Sequence, residues 1–199
     1  MQILNRPVRY AIFNDMGRPK KYDRDDVLKK AMQLFWKRGF ADTGLQDLEK
    51  ATGVNKSGLY AEFKDKEDIF LSSLRYYYAS RRGGEILAKE PLGWNNIEGF
   101  FKLAVEGWSG EQGCLSVSSM RELKILPPEA REIISKSRVE LRRVFEKNIA
   151  SEQTRMPAEA LAEIAATFFS GFSIEQNLKT SKASKIRKIK DFMQAIRGM

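Results

Sequence analysis

The run Thr43-Gly44-Leu45-Gln46-Asp47-Leu48-Glu49-Lys50-Ala51-Thr52-Gly53-Val54-Asn55-Lys56-Ser57-Gly58-Leu59-Tyr60-Ala61-Glu62 decides the fold. Thr43, with Gln46 three residues on, predicts a capping box opening a short helix through Leu45 and Leu48 to Thr52. Gly53 breaks it, because glycine takes the left-handed backbone that a sharp turn needs. Asn55 then caps a second short helix, Lys56 to Glu62, whose apolar surface is little more than Leu59 and Tyr60. Burial is therefore not its main purpose. Two short helices about a glycine turn, locked by Leu48, Val54 and Leu59, are the sequence form of a helix-turn-helix. The pattern leaves Asn55, Lys56, Ser57, Gly58 and Tyr60 facing outward. These donors, small residues and aromatic hydroxyl suit the phosphates and base edges of a major groove.

Outward from this run the chain keeps a helical period. Upstream, Val27, Ala31, Leu34 and Phe35 share one face of a helix from Arg24 to Arg38, capped by Asp23 and ended by Gly39. Downstream, Asp65 caps a longer helix from Lys66 to about Arg82, where Gly83-Gly84 breaks the pattern. Ile97, Phe100, Phe101, Ala104, Val105 and Trp108 mark the next helix, stopped by Gly110 and Gly113. A short helix around Ser116 to Leu123 follows. Pro128 and Pro157 open two more, and a last helix carries Ile186, Ile189, Phe192, Met193 and Ile196. Strand signals are nearly absent, so the expected fold is all-α, about nine helices in two units: a three-helix helix-turn-helix head, then a larger helical unit.

Composition narrows the function. The 199 residues contain no histidine and one cysteine, Cys114. That removes Ser-His-Asp and Cys-His catalysis and histidine metal sites, and leaves no internal disulfide. No enzyme activity, cofactor or metal site is expected, and a reducing cytoplasm is the default compartment. No apolar run is long enough to span a bilayer. The net charge of +9 is uneven: residues 1–66 carry +5, residues 67–175 carry −2 and residues 176–199 carry +6. A basic head on a near-neutral body points to a polyanion at one end. Residues 1–16 read as an N-terminal extension without a fold of its own, with a second plausible start at Met16.

From Gly17 to Leu71 the chain resembles the tetracycline-repressor (TetR) family of bacterial transcription regulators. The matching residues are Gly17-Arg18-Pro19, Lys37-Arg38-Gly39-Phe40, Thr43, Leu48, Gly53-Val54, and Leu59-Tyr60 with Phe63-Lys64-Asp65-Lys66-Glu67. The resemblance implies that Asn55 to Glu62 reads an operator, that Thr43, Tyr60 and Lys66 touch phosphates, and that Arg18, Lys20 and Lys21 form a basic arm. It also implies a DNA-binding unit over residues 17–66. Residues 67–199 would form a regulatory unit that dimerises and binds a small-molecule inducer. Two residues depart from the family pattern. Glu49 stands where a small alanine is usual, and is expected to lean outward or to find Lys56 or Lys50. Glu62 stands where an aromatic or histidine is common, and is expected to face solvent or accept from a cytosine amine.

Beyond residue 85 the resemblance is architectural only. Phe101, Trp108, Met120, Phe168 and Phe172, with Phe100 and Phe169, are candidates to line an apolar ligand pocket. Ser116, Ser118 and Ser119 would supply orienting groups, and Cys114 reads as a small buried residue. Ala162, Ala166 and Ser170, with the stripe Ile186, Ile189, Met193 and Ile196, suit a four-helix homodimer interface. The expected function is a homodimeric repressor released from palindromic double-stranded DNA by a small molecule. The competing reading is a helical protein-interaction module that binds no operator.

Overall fold

A computed structural model of the chain describes residues 22–106 and 113–199. Every regular element among the described residues is a helix: α1 (Arg24–Arg38), α2 (Leu45–Thr52), α3 (Lys56–Glu62), α4 (Lys66–Ala79), α5 (Gly83–Leu87), α6 (Trp94–Glu106), α7 (Leu115–Ser119), a 3-10 turn (Met120–Glu122), α8 (Pro128–Ala150), α9 (Ala158–Glu175) and α10 (Lys182–Arg197). Trp108, Gly110 and the arm residues Arg18, Lys20 and Lys21 lie outside the described residues.

Local chemistry places the first helices. The Asp23 side chain accepts from the Asp25 amide at the start of α1, Asn55 from Gly58 at 2.9 Å, and Asp65 from Asp68 at 2.9 Å. The box at the start of α2 differs from the expected Thr43/Gln46 pair. Gly44 is the N-cap and Asp47 accepts from its amide at 3.0 Å. That backbone bond and Arg38, 2.5 Å away, hold the Asp47 carboxyl below its ordinary range. Gly83-Gly84 opens the one-and-a-half-turn helix α5 instead of a plain break.

Apolar burial then joins the elements. Phe35 of α1 meets Phe70 of α4 edge-on at 5.1 Å, and Trp36 meets Tyr77 in the same way at 5.1 Å, so the head and the start of α4 share one core. That core continues without a break through Ile97, Phe101, Phe145, Ala162 and Phe169 to Ile196. Asn148, fully buried on α8, accepts from Gly93 and Asn96 and donates to the Leu87 and Val144 carbonyls. It thereby fastens the α5–α6 connection to α8. No helix among the described residues is long and apolar enough to cross a membrane.

Candidate nucleic-acid interface and ligand cavity

In the head, Leu48, Val54 and Leu59 are buried and lock α2 against α3, as their spacing predicts. Gly53 adopts the left-handed backbone, φ 75° and ψ 10°, and its amide donates to the Glu49 carbonyl. On the outer side Asn55, Lys56, Ser57 and Tyr60 are exposed. Tyr60 is 42% accessible, and the Lys56 ammonium lies 5.8 Å from its ring centre. Four of the expected reading residues thus form one open face.

Glu49 closes the turn. Its carboxylate accepts from the Lys56 backbone amide, at the N-terminus of α3. The expectation of Lys56 as partner holds for the main chain rather than the ammonium. An acid at this place satisfies an amide that the helix leaves unpaired and faces the positive end of the helix dipole.

The other expected contacts sit differently. Thr43 is buried and its hydroxyl donates to the Gly39 carbonyl at 2.7 Å, so that side chain is turned from any phosphate. Gly58 faces inward. A Cβ there would lie 2.6 Å from Val54 Cγ1, and its carbonyl accepts from Tyr22 at 2.8 Å. Its small size therefore serves packing rather than reading. Lys66 is half-buried, donates to the Phe40 carbonyl at 2.8 Å and lies 4.4 Å from the Phe40 ring centre. Glu62 turns back to α1, 3.9 Å from Arg24, with its side chain largely withdrawn from solvent.

Sequence reasoning missed the most consequential contact with the head. Glu122, in the 3-10 turn, accepts from the amides of Phe40 and Ala41, each at 2.8 Å. One carboxylate from the larger unit thereby grips two successive amides of the α1–α2 turn. Nothing local in the sequence signals a contact across 82 positions.

The cavity takes in only part of the expected lining. A space of about 450 Å³ opens between α4, α6, α7, α8 and α9, bounded by Tyr78, Arg81, Phe100, Ser116, Leu141 and Phe169, with Cys114 on its wall. Of the predicted lining, Phe101, Phe168 and Phe172 instead build the core toward α10. Phe101 is fully buried against Phe145 and Phe192, and Phe168 stacks on Phe192 with ring centres 3.8 Å apart. Met120 lies 3.3 Å from Arg138 and outside the cavity wall. Phe100, Phe169, Ser116 and Cys114 are the predicted neighbours that reach it; Ser118 and Ser119 do not. Cys114 is buried, its sulfur accepting from Tyr77 at 3.2 Å. Burial pushes the Tyr77 and Tyr78 phenols up, Tyr77 well above its ordinary value, so both stay neutral at pH 7.

The expected dimer residues face inward as well. Ala162, Ala166, Ile189, Met193 and Ile196 are buried within the protomer, and Ser170 and Ile186 are half-buried. The open side of α9 is instead the stripe Ile164, Thr167, Gly171 and Ile174, continued by Leu178 just past the helix. A Cβ added at Gly171 would meet nothing within 4 Å. Both sides of α9 are apolar, and the aromatics Phe169 and Phe172 take the inner one.

A glycine-turned helix pair, a small supporting core and an exposed polar face on the second helix define a helix-turn-helix DNA-binding protein. Residues 27–72 match the model of the bacterial regulatory proteins, tetR family. The chain is 31% identical over 173 residues to the HTH-type transcriptional repressor ComR of Escherichia coli K12, covering 79% of this chain and 81% of that one. The chain belongs to the tetR family of transcriptional regulators. In structure it is similar to the regulator CifR, solved as a cysteine-substituted variant with a 26-bp double-strand operator DNA. The TM-score is 0.78 and the identity 25%, over 90% of this chain and 99% of that one. Reduced Escherichia coli NemR shares the fold, with a TM-score of 0.72 and 20% identity over 87% of this chain and 96% of that one.

Proposed function

We propose that the protein is a homodimeric repressor that sets Asn55, Lys56, Ser57 and Tyr60 of α3 into successive major grooves of a palindromic operator, and releases it when a small molecule fills the inner cavity. The carrying observation is the exposed face of α3, held at its N-terminus by Glu49. ComR is named a repressor and CifR is described with operator DNA, which supports the same role here. The interaction-module alternative has no observation in its favour. The regulatory unit is taken to start with α4, residues 67–199, and Arg18, Lys20 and Lys21 are retained as phosphate-binding arm residues on the family resemblance.

The route from cavity to head runs through two elements. The C-terminal half of α4 lends Tyr78 to the cavity wall while its first residue, Lys66, holds the Phe40 carbonyl. Ser116 and Val117 of α7 line the cavity, and the turn that follows carries Glu122 to the amides of Phe40 and Ala41. A ligand that prefers one placement of α7 would shift the equilibrium between head positions in proportion to its differential affinity.

The test is selection of bound fragments from genomic DNA, followed by fluorescence anisotropy on the selected palindrome. Lys56→Ala and Tyr60→Phe are each expected to weaken it by ~1 to 3 kcal/mol if they reach base edges, and by less if they reach only phosphates. Lys21→Ala should instead weaken all DNA alike and lower the salt slope by about 1. A double variant Lys56→Ala, Tyr60→Phe with wild-type affinity would mean that the reading face lies elsewhere.

A further inference from the structure

We propose that the cavity takes an amphipathic organic anion, its carboxylate paired with Arg81 and its apolar body against Phe100, Leu141, Val144 and Phe169. This rests on the reading of the cavity as the effector site and names the chemistry of that effector. Arg81 is partly buried just past the end of α4, with its guanidinium carbon 5.0 Å from the Tyr77 ring centre and 5.8 Å from that of Tyr78. Among the described residues it makes no hydrogen bond and no ion pair. The two phenols beside it are neutral, so neither supplies a counter-charge.

A guanidinium drawn out of water without an acid is a costly arrangement, and its planar fork matches a carboxylate in two parallel hydrogen bonds. The rest of the wall agrees in sign. A second guanidinium, Arg138, borders the cavity and donates to Ser170 at 3.1 Å. Among the described residues the one carboxylate on the wall, Glu140, is exposed and pairs with Arg143 at 3.2 Å. The Tyr78 hydroxyl lies 2.7 Å from Ser116 Oγ and 2.6 Å from Ser137 Oγ, which adds a cluster of hydroxyls beside the cations. The remaining wall is aliphatic and aromatic, and the volume of about 450 Å³ suits a small organic molecule rather than an inorganic ion. A cationic ligand would meet two guanidiniums, and a neutral one would leave Arg81 unpaired.

The experiment titrates the full-length protein by calorimetry with octanoate and 2-naphthoate, with the neutral 1-octanol and 2-naphthol, and with octylamine. The carboxylates are expected to bind at least about tenfold tighter than their neutral and cationic counterparts. Arg81→Gln should remove that advantage while leaving 1-octanol unchanged, and Arg81→Lys should restore part of it. Circular dichroism of both variants checks that they fold. Octanol or octylamine binding as tightly as octanoate, carboxylate affinity indifferent to Arg81→Gln, or binding of none of the five would each overturn the proposal. Release of the selected operator is measured alongside. Arg81-dependent carboxylate binding without release keeps the ligand class and sinks the effector reading, whereas release by octanol alone does the reverse.

Discussion

Gly39→Ala is expected to be among the most damaging single substitutions in the head, and Gly53→Ala a mild one, although both remove a positive-φ glycine from a helix end. Gly53 sits in the ordinary left-handed region and a Cβ there meets nothing within 4 Å. The cost is then backbone strain alone, ~1 kcal/mol. Gly39 sits at φ 88° and ψ 172°, a region populated essentially by glycine alone, so strain there costs ~2 to 3 kcal/mol. Its added Cβ would also lie 2.6 Å from Glu122 Oε2. The tip of a glutamate normally swings aside cheaply, but this one is tied by two amide hydrogen bonds. Displacing it loosens bonds to a charged acceptor that are worth ~1.5 to 3 kcal/mol each. Strain plus the loss of one of those bonds gives an expected total of roughly 4 to 6 kcal/mol, a large share of a domain stability of ~5 to 15 kcal/mol. Urea titrations of the two variants check the contrast. Equal midpoints would mean that Glu122 does not hold the turn. Glu122→Ala should lose the hydrogen-bond part without the strain, and should make Gly39→Ala less harmful in the double variant, since the steric and bonding terms share that carboxylate.

Glu122 also shows where the sequence stops being legible. Asp23, Gly39, Gly53, Asn55 and Asp65 act within a few residues of themselves, through caps and turns, and each stands where its local chemistry puts it. The exposed face of α3 was legible for the same reason: a short helix with two apolar residues has an outside by default. Thr43 was misread because its hydroxyl had two local choices and took the Gly39 carbonyl, leaving the cap to Gly44 and Asp47. Gly58 was misread because small size serves close packing and close approach to DNA equally. The cavity lining and the exposed stripe of α9 were illegible on different grounds. Aromatics on α6, α9 and α10 are interchangeable as core or lining until the helices are packed, and packing placed Phe101 and Phe168 beside Phe192. Arg81 carried no signal at all, since a cation near a helix end ordinarily complements the helix dipole in solvent.

Ile164→Asp with Ile174→Asp is expected to turn the protein into a folded monomer and to abolish operator binding. Both side chains point away from the protomer core, at 36% and 45% accessible, so the change should leave the fold intact. In a two-fold pairing of α9 against its copy, each residue occurs twice. Four isoleucines then lose burial of their accessible part, worth ~0.5 to 1.4 kcal/mol apiece, and four carboxylates face one another across a dry seam, at several kcal/mol per desolvated ion. The desolvation of the four ions, added to the lost burial, takes the sum past what holds a micromolar dimer together, ~8 kcal/mol. Operator binding follows the dimer because one α3 contacts too few base pairs for specificity, whereas two held about 34 to 36 Å apart read both half-sites. Losing the second reading head should lower operator affinity by ~10³-fold or more, to the level of non-specific DNA. Light scattering checks the first half of this: wild type should give twice, and the variant once, the chain mass of 22.8 kDa. Anisotropy on the selected operator checks the second. Ile125→Asp, an equally polar change at a residue 56% accessible before α8, is the control and should change neither. A monomeric wild type at micromolar concentration, or a variant still dimeric, would remove α9 from the interface. A monomeric variant that still bound the operator at full strength would contradict two-headed reading itself.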